Sequence, residues 1–199
     1  MSKSSAKIES GRIGNIIRYA RNGVQCERMR PESVFNPRTP KQILVRSKFG
    51  LTSKLGSNVL YDLIHPFWNP IAKKKQRTGY NLFVSVNNPA FRGGLLAAEI
   101  LKLCLDKGIN QEVFSVHKNE DRIQIHWDSS LTNHRKSGQD QLYLIELTTN
   151  LTVKIIDTKV FRENDYCEYE YSDTNDYCLF AFWRNGVKWS ESRFIYSAK

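Results

Sequence analysis

The stretch Gly11–Arg46, GRIGNIIRYA RNGVQCERMR PESVFNPRTP KQILVR, predicts a β-hairpin, a proline-fixed corner and the start of a long helix. Ile13, Ile16, Ile17 and Tyr19 lead to Asn22-Gly23, the dipeptide favoured in two-residue hairpin turns, and Val24 to Met29 return. Gly11 and Gly14 mark points where the backbone bends or is approached closely. Pro31, Pro37 and Pro40 keep regular structure out of the chain before Thr39. Thr39-Pro40-Lys41-Gln42 then reads as a helix start. The Thr39 hydroxyl caps, Pro40 suits the first helical position, and Gln42 completes a capping box. A lone hairpin is marginal in water, so this one is expected to lie on something else.

Outward from that stretch, Leu44, Leu51, Leu55, Val59 and Leu63 carry the helix on at helical spacing, and Pro66 and Pro70 are expected to end it. A second helix is expected through Tyr80, Leu82, Phe83 and Val86, closed by Asn87-Asn88-Pro89. Residues 95–107 fit either a helix or a strand. Beyond residue 110, short alternating segments recur at 113–117, 122–127, 141–148, 152–157, 166–171, 177–184 and 192–197. Ile123, Ile125 and Trp127 share one face of their strand, as do Leu179, Ala181 and Trp183. Strands in that number and spacing predict an immunoglobulin- or fibronectin-like sandwich, without the Cys…Trp…Cys spacing of an antibody domain. The expected fold class is α+β. A flexible arm is expected over 1–10, a basic hairpin-and-helix domain over 11–110, and an immunoglobulin-like β-sandwich over 111–199.

The net charge of +10 raises the expectation of a polyanionic partner, and its distribution sharpens it. Residues 1–110 hold 19 Lys and Arg against 6 Asp and Glu, whereas residues 111–199 hold 11 against 14. All the excess positive charge lies in the first half. Cys26, Cys104, Cys167 and Cys178 form no C-x-x-C pair and read as reduced thiols, with a Cys167–Cys178 disulfide left open if their strands are neighbours. The first residues lack the apolar core of a secretory signal, and no apolar run is long enough to span a bilayer. The expected location is the cytoplasm, or the virion if the chain is phage-encoded.

Catalytic patterns are missing from the sequence. There is no G-x-S-x-G, no phosphate-binding loop and no dinucleotide fingerprint, and His65, His117, His126 and His134 include no pair at metal-ligand spacing. The acidic run from Glu163 to Asp176 alternates with tyrosines and reads as a solvated strand face rather than an acid–base pair. Gly11-Arg12-Ile13-Gly14 has the form of a backbone-clamping G-x-x-G loop, but it precedes a strand, so a turn is the better reading.

The cations offer more. Arg12, Arg18, Arg21, Arg28 and Arg30 flank the hairpin, Arg38 sits in the proline corner, and Lys73, Lys74, Lys75 and Arg77 follow the first helix. At a period of two, Arg28 and Arg30 share a strand face and join Arg12 and Arg18 in one patch that holds phosphates without reading bases. The alternatives are a solvated face or an interface with an acidic neighbour. Arg38 has a simpler task, tying loop carbonyls together.

Gly11-x-x-Gly14, Arg21-Asn22-Gly23, Arg28-x-Arg30-Pro31 and Asn36-Pro37-Arg38-Thr39-x-x-Gln42-x-x-x-Arg46-x-x-Phe49 resemble an uncharacterised bacteroidete family built on a domain of unknown function. A related Asn-Pro-Arg-Thr signature occurs in proteins encoded among prophage structural genes. Ile125-His126-Trp127 and Ser192-Arg193-Phe194-Ile195-Tyr196 resemble the family's later strands, whereas Ile17-Arg18-Tyr19-Ala20 departs from its hairpin. The resemblance implies an architecture and a phage-associated setting, but no activity and no site. The expectation is therefore a non-enzymatic structural or interaction protein of a phage or phage-derived assembly. It would dock onto a protein partner or another copy of itself through its basic half. A module contacting nucleic-acid phosphates non-specifically is the alternative. No cofactor, metal or membrane partner is expected.

Overall fold

The computed structural model describes residues 10–21, 23–33, 36–110, 113–119, 122–128, 139–170 and 176–198. The arm expected over 1–10 therefore lies almost wholly outside the described residues, as do Asn22 and His134. The chain divides into two compact units, Met1–Gln42 and Ile43–Lys199, so the boundary expected near residue 110 falls inside the second.

The first unit is a three-stranded antiparallel sheet rather than a two-stranded hairpin: β1 (Gly11–Ile13), β2 (Ile16–Arg21) and β3 (Val24–Met29). The additional turn is at Gly14-Asn15, closed by the pair Ile13–Ile16. Gly14 has φ +58°, a conformation open to glycine without strain, which explains its place in the motif. The second turn is closed by Arg21–Val24, with Gly23 at φ +80°.

The division between units falls in the first turn of α1 (Pro40–Asn58). Pro66 and Pro70 do not end the helical run. After Val59 the backbone widens into a π-helical segment, Leu60–Trp68, where the Ile64 N–H donates to the Val59 carbonyl five residues back. Pro66, with no N–H to give, is carried inside this segment, and Pro70 opens α2 (Asn69–Lys74), where a missing donor is tolerated. Thr78 then caps α3 (Gly79–Asn87), its hydroxyl accepting from the Asn81 N–H at 3.1 Å.

Residues 95–107 are neither the helix nor the strand that their pattern allowed. A two-residue hairpin, β4 (Phe91–Arg92) with β5 (Leu95–Leu96), gives way to a 3-10 turn at Ala98–Ile100 and then to extended chain. Asn87 grips that chain from both sides, its amide donating to the Lys102 carbonyl and accepting from the Lys102 N–H.

The seven expected strands are all present: β6 (Ser115–Lys118), β7 (Arg122–His126), β8 (Gln141–Thr148), β9 (Val153–Phe161), β10 (Tyr166–Glu170), β11 (Tyr177–Asn185) and β13 (Arg193–Ala198), with a short β12 (Lys188–Trp189) besides. They form two antiparallel sheets, β10-β7-β6 and β12-β11-β8-β9, the latter with β13 also on β11. Between β12 and β13 the edge is broken. There the Ser192 hydroxyl accepts from the Leu103 and Cys104 N–H groups, and the Lys107 N–H donates to the Trp189 carbonyl.

The larger sheet is covered on both faces. Leu142, Leu144, Leu179, Ala181 and Trp183 meet Ile123, Ile125, Trp127 and Cys167 in a layer shared with the smaller sheet. Ile145, Leu147, Phe180 and Phe182 point the other way, into a core with Leu55, Val59, Leu63, Phe67, Trp68 and Phe83. Full burial of side chains this size stabilises by about 1.5–3 kcal/mol each, and this shared core is why the helices and sheets form one unit. It also separates two cysteines. All four are free thiols, with Cys167 in the inter-sheet layer and Cys178 packed on the helical side, so the open disulfide does not form.

Candidate functional site

Strand register decides how the arginines are presented, because directly paired residues share a face and alternate residues change it. The pairs Arg12–Ile17, Ile17–Arg28, Tyr19–Cys26 and Arg21–Val24 place Arg12, Arg21 and Arg28 on one face of the first sheet, around Ile17 and Tyr19. Arg18 is on the other face, where its Nε lies 2.6 Å from Glu27 Oε1. The patch expected from Arg12, Arg18, Arg28 and Arg30 is thus corrected. Arg18 leaves it, neutralised, and Arg21 enters. Arg30 lies beyond the end of β3, its N–H donating to the Asn15 carbonyl at 2.7 Å. Arg12 Nε donates to the Gly14 carbonyl at 2.9 Å, bracing its own turn.

The two faces of this sheet differ chemically. The Arg12–Arg21–Arg28 face is cationic and carries one tyrosine. The other holds Ile13, Ile16, Ala20 and Met29 around the Arg18–Glu27 pair and is close to neutral. No residue of the three strands is buried, and Ile13, Val24 and Met29 are 57%, 62% and 71% exposed.

Gln42 N–H donates to Thr39 Oγ1 at 3.4 Å, a weak form of the expected cap, while Gln42 Oε1 has no partner among the described residues, so the capping box is half made. Asn36 and Arg38 are exposed and Pro37 is half-buried. Lys73 and Lys74 occupy the last turn of α2, where cations complement the helix dipole, and Lys75 caps it; Arg77 follows, its N–H donating to the Ala72 carbonyl. These four belong to the second unit, whereas the sheet arginines belong to the first.

In the second unit, the acidic strand β10 faces Arg122, which contacts Glu168 at 2.8 Å and Glu170 at 3.0 Å. Hydrogen bonds from Tyr166, Gln124 and Arg122 hold the Glu168 carboxyl below the usual carboxylate range. An acid–base pair needs environments that push two groups apart, and this one keeps Glu168 ionised. His126 packs on Tyr166 with ring centroids 4.8 Å apart, on the face of β7 opposite the buried Ile123 and Ile125. Among the described residues no group of three or more His, Cys, Asp or Glu is placed to hold a metal ion.

A surface that the sequence reading passed over lies along α1. Leu44 opens the apolar series read for this helix, yet Leu44, Val45 and Phe49 are 49%, 58% and 56% exposed. Further along α1, Gly56 meets α3. A Cβ there would stand 3.1 Å from the Tyr80 ring, and the Tyr80 hydroxyl donates to the Ser53 carbonyl at 3.2 Å. From this contact α1 and α3 open a groove of about 410 Å³ lined by Phe49, Tyr80, Asn81, Val84, Ser85 and Asn88. The consecutive triplet Ile43-Leu44-Val45 was the available signal. Three apolar side chains in succession spread over most of a helix's circumference, and one core covers only part of it.

Residues 8–93 match the model of a family of unknown function (DUF6266). The match takes in the first sheet, the helices and the β4 strand, less than half of the chain, and stops short of both larger sheets. No curated protein and no solved structure matches the chain. No helix among the described residues is long and apolar enough to cross a membrane.

Proposed function

We propose that this chain is a non-enzymatic interaction protein, a component of a phage or phage-derived assembly, that docks through its basic amino-terminal half. One observation carries the reading: a three-stranded sheet with no buried residue, whose neutral face sets Ile13, Ile16 and Met29 side by side. Exposed apolar clusters mark interaction surfaces. The likeness of Asn36-Pro37-Arg38-Thr39 to proteins encoded among prophage structural genes supports the setting. The strand order supports an immunoglobulin-like framework for display. The first, second and fifth strands form one sheet, and the third, fourth, sixth and seventh form the other. This departs from the constant-type immunoglobulin split only in the sheet taken by the fourth strand.

Cross-linking in the native host followed by mass spectrometry, with light scattering on the purified chain, tests the reading. The expected result is cross-links from the first sheet to a partner or a second copy, lost in an Ile16→Lys, Met29→Lys variant. A monomer without cross-links from residues 11–33 refutes it.

A second reading has its own observation, the cationic face where Arg12, Arg21 and Arg28 surround Tyr19. Backbone cations beside an aromatic platform suit single-stranded nucleic acid. Binding that weakens steeply with salt, with a slope flattened in the Arg12→Ala, Arg21→Ala, Arg28→Ala variant, is the expected result. An unchanged slope rejects it.

A further inference from the structure

The amino-terminal half of α1 continues a core-facing stripe past the point where the unit covers it. Thr52, Leu55 and Gly56 are buried, and Val45 and Phe49 stand seven residues ahead of Thr52 and Gly56 on the same face. With Leu44 they form an uncovered apolar strip ending at the α1–α3 groove. The groove is concave, has Phe49, Tyr80 and Val84 in its walls and offers Asn81, Ser85 and Asn88 as hydrogen-bonding groups. That combination accepts an inserted apolar side chain with neighbouring polar backbone.

Charge selects the occupant. From Ser33 to Ala98 the sequence has one carboxylate, Asp62, against ten lysines and arginines. Arg46 and Lys48 flank the strip on α1. A second copy laid on the same face would set these cations against their equivalents. A nucleic acid would meet the cations but has nothing that buries Leu44 and Val45, since its stacking partners are aromatic. An acidic protein segment with apolar anchors meets both demands.

We propose that the α1–α3 groove is the docking site for an acidic amphipathic segment of a partner protein. An apolar anchor of the partner enters between Phe49 and Tyr80, a second covers Leu44 and Val45, and its carboxylates face Arg46 and Lys48. The proposal rests on reading the chain as an interaction protein and names the chemistry of one partner.

Selection of a random displayed peptide library on the full chain tests it, with fluorescence anisotropy of the selected peptides. Enriched peptides are expected to be net acidic with apolar residues at i and i+3 or i+4. Their affinity is expected to fall at least about tenfold in Phe49→Glu and again at high salt. Affinity is expected to be unchanged when Arg12, Arg21 and Arg28 are replaced by alanine. Phe49 is exposed, so the variant should fold; its thermal transition is compared with that of the parent, and Val45→Glu serves as a second probe. No enrichment, enrichment of peptides without acidic residues, or indifference to both substitutions overturns the proposal. Binding of phosphatidylserine vesicles or of duplex DNA that depends on Phe49 overturns it too, giving the groove to lipid or nucleic acid. Native cross-links that persist without peptide binding refute the groove alone. Peptide binding without cross-links supports the groove and refutes docking through the sheet.

Discussion

Replacing Asp140 by alanine is expected to be the most damaging single polar change in the second unit. Arg162 is 2% exposed at its side chain and Asp140 8%, with Arg162 Nη1 and Asp140 Oδ2 3.0 Å apart. The guanidinium also donates to the Asn110 carbonyl at 2.7 Å and lies 4.7 Å from the Trp183 ring centroid, while Asn185 donates to the other Asp140 oxygen at 3.0 Å. Asp140→Ala takes the carboxylate away from a buried guanidinium and removes an acceptor from the Asn185 amide. Breaking a buried pair from one side costs about 3–5 kcal/mol, a large part of the 5–15 kcal/mol typical of a domain. Removing both partners is far milder, because the desolvation of both ions goes with them. Asp140→Leu with Arg162→Met should therefore recover most of the loss; the Trp127 indole bond to the Arg162 carbonyl survives because it uses backbone. Equilibrium urea unfolding at neutral pH measures both, read as midpoint shifts at constant slope. A loss below about 1 kcal/mol for Asp140→Ala, or a double variant as unstable as the sum of the singles, would refute this account.

Glycine substitutions should split by environment. A Cβ at Gly79 would collide with the Asn69 side chain that caps it and come within 2.9 Å of the Asn69 backbone nitrogen, so Gly79→Ala is expected to lose about 1–3 kcal/mol. Gly50, inside α1 with nothing within 4 Å, is expected to gain about 0.5–1 kcal/mol as alanine. Thermal unfolding of the pair checks both signs. Burial raises the Cys104 thiol well above its ordinary value, against the opposing charge of Arg184, and pushes Cys167 up to about 11. Alkylation of the native chain near pH 8 should therefore label the half-buried Cys26 long before either; equal rates would contradict the packing. Glu168, whose folded value is lowered, adds stability that is present above the usual carboxylate range and lost as pH falls through its depressed value. A carboxyl chemical-shift titration should show it protonating below the other exposed glutamates, and Tyr166→Phe should remove the largest share of the difference.

Local chemistry carried much of the fold into the sequence. Thr39-Pro40 opens α1, Gly23 at φ +80° lies in the turn that joins β2 to β3, and the alternation at Ile123, Ile125 and Trp127 marks an inward strand face. These features depend on one or two residues and their backbone geometry. What stayed hidden depends on partners distant in the chain. Pro66 looks like a stop until the π-helical register shows how it is carried. The division near residue 110 follows composition, but the core joins Leu55 and Phe67 to Phe180 and Phe182, and composition is silent about that. Arg18 left the basic patch because a Gly14 turn added a strand and set the register, and Glu27 lay opposite. Leu44 has helical spacing to Leu51 and Leu55, which says which face it occupies and not how far along the helix the cover extends.

The burial of the larger sheet on both faces has a consequence for biosynthesis. Leu55, Phe67, Trp68 and Phe83 are covered by strands that leave the ribosome roughly a hundred residues later, which at about 5–20 residues per second leaves the helices bare for about 5–20 s. During that interval they are a natural client for a chaperone. A fragment ending at residue 93, where the family match ends, would keep these helices and lose their lid.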